Sequence, residues 1–189
     1  MRAAPRGRVT VELDGEPWRT LPVEVLLAAG LHVGLELDRS RLRLLRRELR
    51  SREALTKAAR LVARRDLSER RLHDELARRR VAPCDRRETV ARLVDAGAVD
   101  DERLARRRAE LLAARGSGDA LIRADLEARG VDGELVAAAV EALEPEVVRA
   151  RRIVASRGPG PKTARFLARR GFGEDVAESA LEGFVAEGW

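Results

Sequence analysis

Three stretches of this chain are copies of one another. Leu76-Ala77-Arg78-Arg79-Arg80-Val81, Leu126-Glu127-Ala128-Arg129-Gly130-Val131 and Leu167-Ala168-Arg169-Arg170-Gly171-Phe172 align at offsets of 50 and 41 residues. The same offsets carry Val90 onto Val140 and Leu181, and Leu93 onto Leu143 and Phe184. Upstream, Leu61-Val62 falls on Leu111-Leu112 and, with one residue of slip, on Ile153-Val154. Register kept across separated blocks marks a structural repeat, in which each copy buries its apolar face against its neighbours.

Each copy reads as three helices. In the first, residues 53–65 place Leu55, Ala58, Ala59, Leu61 and Val62 at helical spacing. Ser68 is a candidate N-cap for a second helix reaching about Arg80, with Leu72 and Leu76 on one face. Pro83 breaks the chain, and Asp85 is the candidate cap of a third helix ending near Gly97. The middle copy starts at Asp100-Asp101, turns at Gly116-Ser117-Gly118 and again at Gly130, and restarts behind Asp132. The last begins at Glu144-Pro145, with the proline expected in the first helical turn. It turns through Gly158-Pro159-Gly160-Pro161 and ends with a helix over 174–186.

Residues 1–50 are different. Arg8 to Leu13 alternates like a strand, Asp14-Gly15 is a hairpin turn signal, and Trp18 to Leu21 is the returning strand. Pro22 to Ala29 reads as a short helix closed by Gly30, and residues 38–50 as another, Arg-rich helix. A lone hairpin is marginal in water, so it is expected to lean on the helices. The expected fold is therefore all-α, an elongated tandem array of three three-helix repeats at 51–97, 98–143 and 144–189. A small β-hairpin and helix extension over 1–50 precedes it. Aromatic residues make up only 3% of the chain, so its core must be aliphatic. All three Phe residues, Phe166, Phe172 and Phe184, fall in the last copy, which is expected to have the bulkiest core.

Charge is distributed unevenly over these units. Residues 1–50 carry 10 basic and 7 acidic side chains, the first copy 13 and 8, the second 7 and 10, the third 8 and 7. From Val147 through Gly173 the eight cations Arg149, Arg151, Arg152, Arg157, Lys162, Arg165, Arg169 and Arg170 meet no acid. Such a run attracts phosphates or an acidic protein surface. Codon bias toward Arg would also act in the middle copy, which is net acidic. Arg78, Arg79 and Arg80 with Arg70 and Arg71 form a second candidate patch. Arg106-Arg107-Arg108 lies between acids of its own helix, and intrahelical pairing is expected there. Base-edge readout of DNA is disfavoured, because the chain contains no Asn and no Gln. Stacking on single strands is disfavoured by the shortage of aromatics. Backbone binding, which weakens with salt, remains.

Nothing points to catalysis. There is no glycine-rich phosphate loop. His32 and His73 are far apart and lack metal-ligand neighbours, and Cys84 is the only cysteine, which excludes an internal disulfide. No metal or other cofactor is expected. No apolar run approaches the roughly 20 residues of a bilayer span, so a cytoplasmic chain that engages no membrane is expected.

The repeat blocks resemble the RecX family of recombination regulators over residues 53–189. The likeness rests on Ala63-Arg64-Arg65-Asp66-Leu67-Ser68 through Leu72 and Leu76, on Asp95-Ala96-Gly97-Ala98-Val99-Asp100-Asp101-Glu102-Arg103-Leu104-Ala105, and on Arg115-Gly116 through Leu126 and Arg129-Gly130-Val131. The segment from Leu31 to Asp38 is similar to an extension of some members. The resemblance implies a monomer of three tandem three-helix repeats that binds RecA filaments on single-stranded DNA. It implies a modulator, mostly an inhibitor, of ATP hydrolysis and strand exchange in homologous recombination, DNA repair and the SOS response. Three departures stand out. Arg71 follows Ser68 where an acid would complete a capping box, Leu104 replaces an aromatic, and Asp119-Ala120 replaces proline and basic residues. Contacts are accordingly expected on the first and third copies, through Arg70, Arg71, Arg78, Arg79, Arg80, Arg149, Arg152, Arg157, Lys162, Arg165, Arg169 and Arg170. The other reading is an autonomous protein that coats single- or double-stranded DNA through its Arg faces.

Overall fold

The structure is a computed structural model that describes residues 2–4 and 7–186, with side chains described from 7 to 183. The chain divides into two compact units, residues 1–60 with 76–89, and residues 61–75 with 90–189.

In the first unit the expected hairpin is present, joined by a third strand. Strands β1 (Arg2–Ala4), β2 (Arg8–Leu13) and β3 (Glu16–Pro22) form an antiparallel sheet in that order. The β2–β3 turn has positive φ at both Asp14 (51°) and Gly15 (87°), the conformation that matches the twist of paired strands. The sheet packs on α1 (Val23–Ala28) and α2 (Arg39–Val62) through Val11, Leu21, Val25, Leu26, Ala29 and Leu45. Sequence reading predicts two helices over 38–50 and 53–65, but α2 is continuous. Arg50-Ser51-Arg52 contains no Gly or Pro, and the buried line Leu45, Ala54, Ala58, Leu61 runs through the expected break.

Helices α3 (Glu69–Arg78) and α4 (Pro83–Asp95) complete the first copy. Asp85 is not the cap of α4. The helix starts at Pro83, whose missing N–H costs nothing in a first turn, and buried Asp85 faces Arg50 Nε at 3.4 Å.

The second unit contains two three-helix cores. Helices α5 (Asp101–Ala114), α6 (Asp119–Ala128) and α7 (Gly133–Glu141) enclose Leu104, Ala109, Leu112, Ile122, Leu126 and Val136. Asp100 caps α5 by accepting from the Arg103 amide, and Asp132 caps α7 by accepting from the Glu134 amide. Helices α8 (Glu146–Arg157), α9 (Pro161–Arg169) and α10 (Glu174–Ala186) enclose Ala150, Val154, Leu167, Phe172, Ala177 and Ala180. Pro145 stands at the N-cap of α8, one residue before the first turn predicted for it, with Pro161 opening α9. Phe172 is the aromatic of this core; Phe166 is half-buried at its margin, and the Phe184 side chain lies outside the described residues.

The aligned blocks close with one and the same turn. Val81 donates to the Leu76 carbonyl, Val131 to Leu126 and Phe172 to Leu167, each bond spanning a residue of positive φ: Arg80, Gly130 and Gly171. This is the left-handed helix stop that favours glycine.

The copies are joined head to tail by the second and third of these turns. At the first joint, Ser68 Oγ donates to the Arg129 carbonyl (2.6 Å), while Asp101 of α5 accepts from the Glu69 amide (2.9 Å). At the second, the Gly118 amide donates to the Arg170 carbonyl (2.8 Å), while Glu146 of α8 accepts from the Asp119 amide (2.7 Å). The sequence offsets map Ser68 onto Gly118 and Arg129 onto Arg170, so one carbonyl plays the same part twice.

Candidate functional site

The expected first-copy cations divide between the two ends of α3. Arg70 and Arg71 belong to its first turn, and Arg78 closes it with Arg79 and Arg80 behind. At 1.5 Å per residue, eight residues of helix separate the groups by about 12 Å. Arg70 is exposed at its head, but its stem lies against Gly130 in the first joint. Arg71 is half-buried, and its amide bonds Ser68 Oγ, so the serine caps α3 although no acid stands three residues on. Asp101 supplies a further acceptor from another helix. Burial raises the Asp101 carboxyl above its ordinary value, with the nearby Glu69 and Asp100 charges adding and the Glu69 amide opposing. Arg78, Arg79 and Arg80 are exposed at the negative end of the helix dipole, which suits cations.

The third-copy run also divides. Arg149 is 5% exposed and its guanidinium is spent inside the protein. It donates to the Ser117 carbonyl (2.7 Å), the Glu144 carbonyl (3.0 Å) and the Asp119 carboxylate. Asp119 is thus the partner that makes this buried cation tenable. Arg170 is half-buried and donates to the carbonyls of Gly116 and Arg115. These two arginines hold the second joint. The others remain at the surface. Lys162, Arg165 and Arg169 stand at i, i+3 and i+7 of α9, one exposed stripe. Arg157, at the end of α8, stacks over the Phe166 ring at 4.1 Å. Arg152 pairs with Glu144 at 2.9 Å in an exposed bridge.

Arg108 departs from the expected intrahelical pairing. It reaches across to α6 and grips Asp125 through Nε and Nη2, both at 2.8 Å, while Arg129 Nε meets the same carboxylate at 2.7 Å. The Arg108 hydrogen bonds chiefly lower the Asp125 carboxyl to about 2; burial opposes them, and the Arg129 hydrogen bond and the two guanidinium charges add to the lowering. Sequence spacing gave no sign of this cluster, because residues 17 apart on different helices share no period.

The exposed candidate residues offer fixed cations. His32 Nδ1 lies 3.0 Å from the Val33 carbonyl, and Cys84 is exposed. Among the described residues no group of three His, Cys, Asp or Glu side chains is placed to hold a metal, and no helix is long and apolar enough to cross a membrane.

No protein-family model matches the sequence. A protein named regulatory protein RecX from Chromohalobacter salexigens is 38% identical over 133 residues, which cover 66% of this chain and 88% of that protein. One of the same name from Stenotrophomonas maltophilia is 34% identical over 145 residues, 71% of this chain and 89% of that one. A crystal structure of regulatory protein RecX shares the fold with a TM-score of 0.79 at 17% identity, covering 95% of this chain and 96% of its own. RecX from Lactobacillus salivarius superposes with a TM-score of 0.64 at 13% identity, over 72% of this chain and 97% of its own.

Proposed function

The chain belongs to the RecX family of regulatory proteins, and from that premise we propose that it binds a RecA filament assembled on single-stranded DNA and restrains its ATP hydrolysis and strand exchange. In this reading it acts as a monomer in the cytoplasm, in recombination, DNA repair and the SOS response, by binding rather than by catalysis. The observation that carries the reading is the exposed stripe Lys162, Arg165 and Arg169, which holds its charge outward while Arg149 and Arg170 are engaged in the joint. A rigid helix presenting cations at fixed spacing suits an acidic protein surface, and touching more than one protomer multiplies weak contacts. Arg78, Arg79 and Arg80 are the proposed second contact.

The test is the DNA-dependent ATPase of the cognate RecA on preformed filaments, with this protein titrated in. Inhibition well below one molecule per protomer is the expected result. Reversing Arg165 and Arg169 to Glu is expected to abolish it. An unchanged titration for that variant removes the stripe from the mechanism. Inhibition seen only when the protein meets bare DNA first would favour competition for the strand instead.

A further inference from the structure

The first unit contains a groove that the sequence divides between distant segments. It runs between the sheet and α2, has a volume of about 770 Å³, and is open to solvent. Arg8 and Arg19 line the sheet wall, and Arg52, Lys57 and Arg60 the helix wall; Glu53 is the one acid in the lining. Lys57 Nζ neutralises that acid at 2.7 Å, as an i, i+4 neighbour. Arg52 meets Glu24 at 3.3 Å, but both side chains are about half exposed, and such a bridge is weak enough to exchange. Arg8 is aimed across the strands by its bond to the Thr20 carbonyl (2.7 Å). Arg52, Thr56 and Arg60 follow one another at i, i+4 and i+8, a row about 12 Å long on one helix face.

The groove walls thus carry an excess of positive charge, and we propose that they hold a phosphodiester backbone of nucleic acid. An acidic protein surface is the less fitting occupant. Protein interfaces are held by large apolar or aromatic anchors at their centre, whereas Leu21 and Leu49 pack into the core around Leu45 and Val25, which leaves Pro22 as the other apolar residue of the lining. The exposed large hydrophobics among the described residues, such as Leu27, Val33 and Leu44, all lie outside the groove. A phosphodiester chain needs no such anchor, because release of its counterions drives binding. The lining has no aromatic ring, so the groove grips the backbone without stacking or reading bases. The assignment does not depend on the recombinase reading.

The experiment uses the full chain with Arg19→Glu and Arg60→Glu, one from each wall, both exposed and outside the joints. Binding is followed by anisotropy with a labelled oligothymidine and with a labelled duplex, over a salt series. Circular dichroism checks folding, and Arg106→Glu with Arg123→Glu controls for net charge. Affinity for at least one probe is expected to fall about tenfold or more, and for the single strand the salt slope to shrink by about 1.4 as two contacts are lost. Loss on oligothymidine assigns the groove to single strands, loss on duplex to double strands. An equal loss in the control pair overturns the groove, as does unchanged binding or a wild-type chain that binds neither probe. Intact nucleic-acid binding with lost inhibition of RecA would overturn it too, in favour of an acidic protein.

Discussion

The two joints solve one problem with different chemistry. In both, the start of a middle helix docks on the left-handed turn that ends the middle helix of the next copy. At the first joint the connection is a side chain, Ser68 Oγ, and the backbones stand apart by the length of that hydroxymethyl group. At the second the residue is Gly118, and its amide reaches the equivalent carbonyl directly. Removing a side chain lets the backbones close, and the carbonyls of Ser117 and Glu144, with Asp119, then receive a buried cation. The first joint tolerates change at its contact atoms. The second is welded through backbone and has none to spare.

That contrast is sharpest at the glycines. A Cβ on Gly118 would stand 2.3 Å from the backbone of Gly171 and Phe172, and neither can yield without opening the joint. Gly118→Ala is expected to cost about 3 kcal/mol or more, as core overpacking does at its worst. On Gly130 the same atom would meet Ser68 Oγ at 3.2 Å and the flexible stem of Arg70. With its φ of +81°, Gly130→Ala is expected to cost about 1–2 kcal/mol. Chemical denaturation of both variants decides the matter; equal losses would erase the distinction between the joints.

The bridging side chains give the next largest contrast. Arg149→Met strands Asp119 and two carbonyls, and a loss of about 3 kcal/mol is expected. Ser68→Ala removes one cap and one cross-joint bond, for about 1–2 kcal/mol. If Ser68→Ala proves the costlier in urea unfolding, the hydroxyl joint is the stronger one.

How much of this could be read in the sequence follows from what is local. Alignment of Arg80, Gly130 and Gly171 identifies the turns, because a helix stop is written in adjacent residues. The caps at Ser68, Asp100 and Asp132 are legible for the same reason. Asp85 misled because Pro83, two residues earlier, already starts the helix. The cations were legible as a run but not as a site. A guanidinium is equally compatible with solvent and with a buried carbonyl cluster, and only the partner helix decides which. So Arg149 and Arg170, neighbours in composition to Arg165 and Arg169, are joint residues. The groove was hidden because Arg8 and Arg19 lie on the strands and Arg52 and Arg60 on α2, so no single stretch of sequence carries them together.

Two smaller effects refine the comparison. Asp125 binds Arg129, whose carbonyl receives Ser68, so protonating Asp125 should loosen the first joint. Its carboxyl is lowered to about 2, so its stabilisation is complete above the unfolded value near 4 and is lost as the pH falls through about 2. Stability measured from pH 5 to 2 should decline less in Asp125→Asn than in the parent; parallel curves would remove Asp125 as the cause. Smallest, Arg80→Gly relieves a left-handed residue at φ 58° and is expected to raise stability by about 1 kcal/mol. A loss instead would mean that the Arg80 side chain stabilises its turn more than the backbone strain costs.

Pro161 sets the third middle helix apart from the other two. In both joints the first amide of the middle helix, Glu69 or Asp119, donates to a carboxylate brought by the following copy. The third middle helix begins with Pro161, which has no such hydrogen to give. A fourth copy appended in the same register would bring its acid to a position with no donor. The ring thus leaves the third middle helix without the amide hydrogen that both joints use, a difference of one cross-joint hydrogen bond written in a single residue.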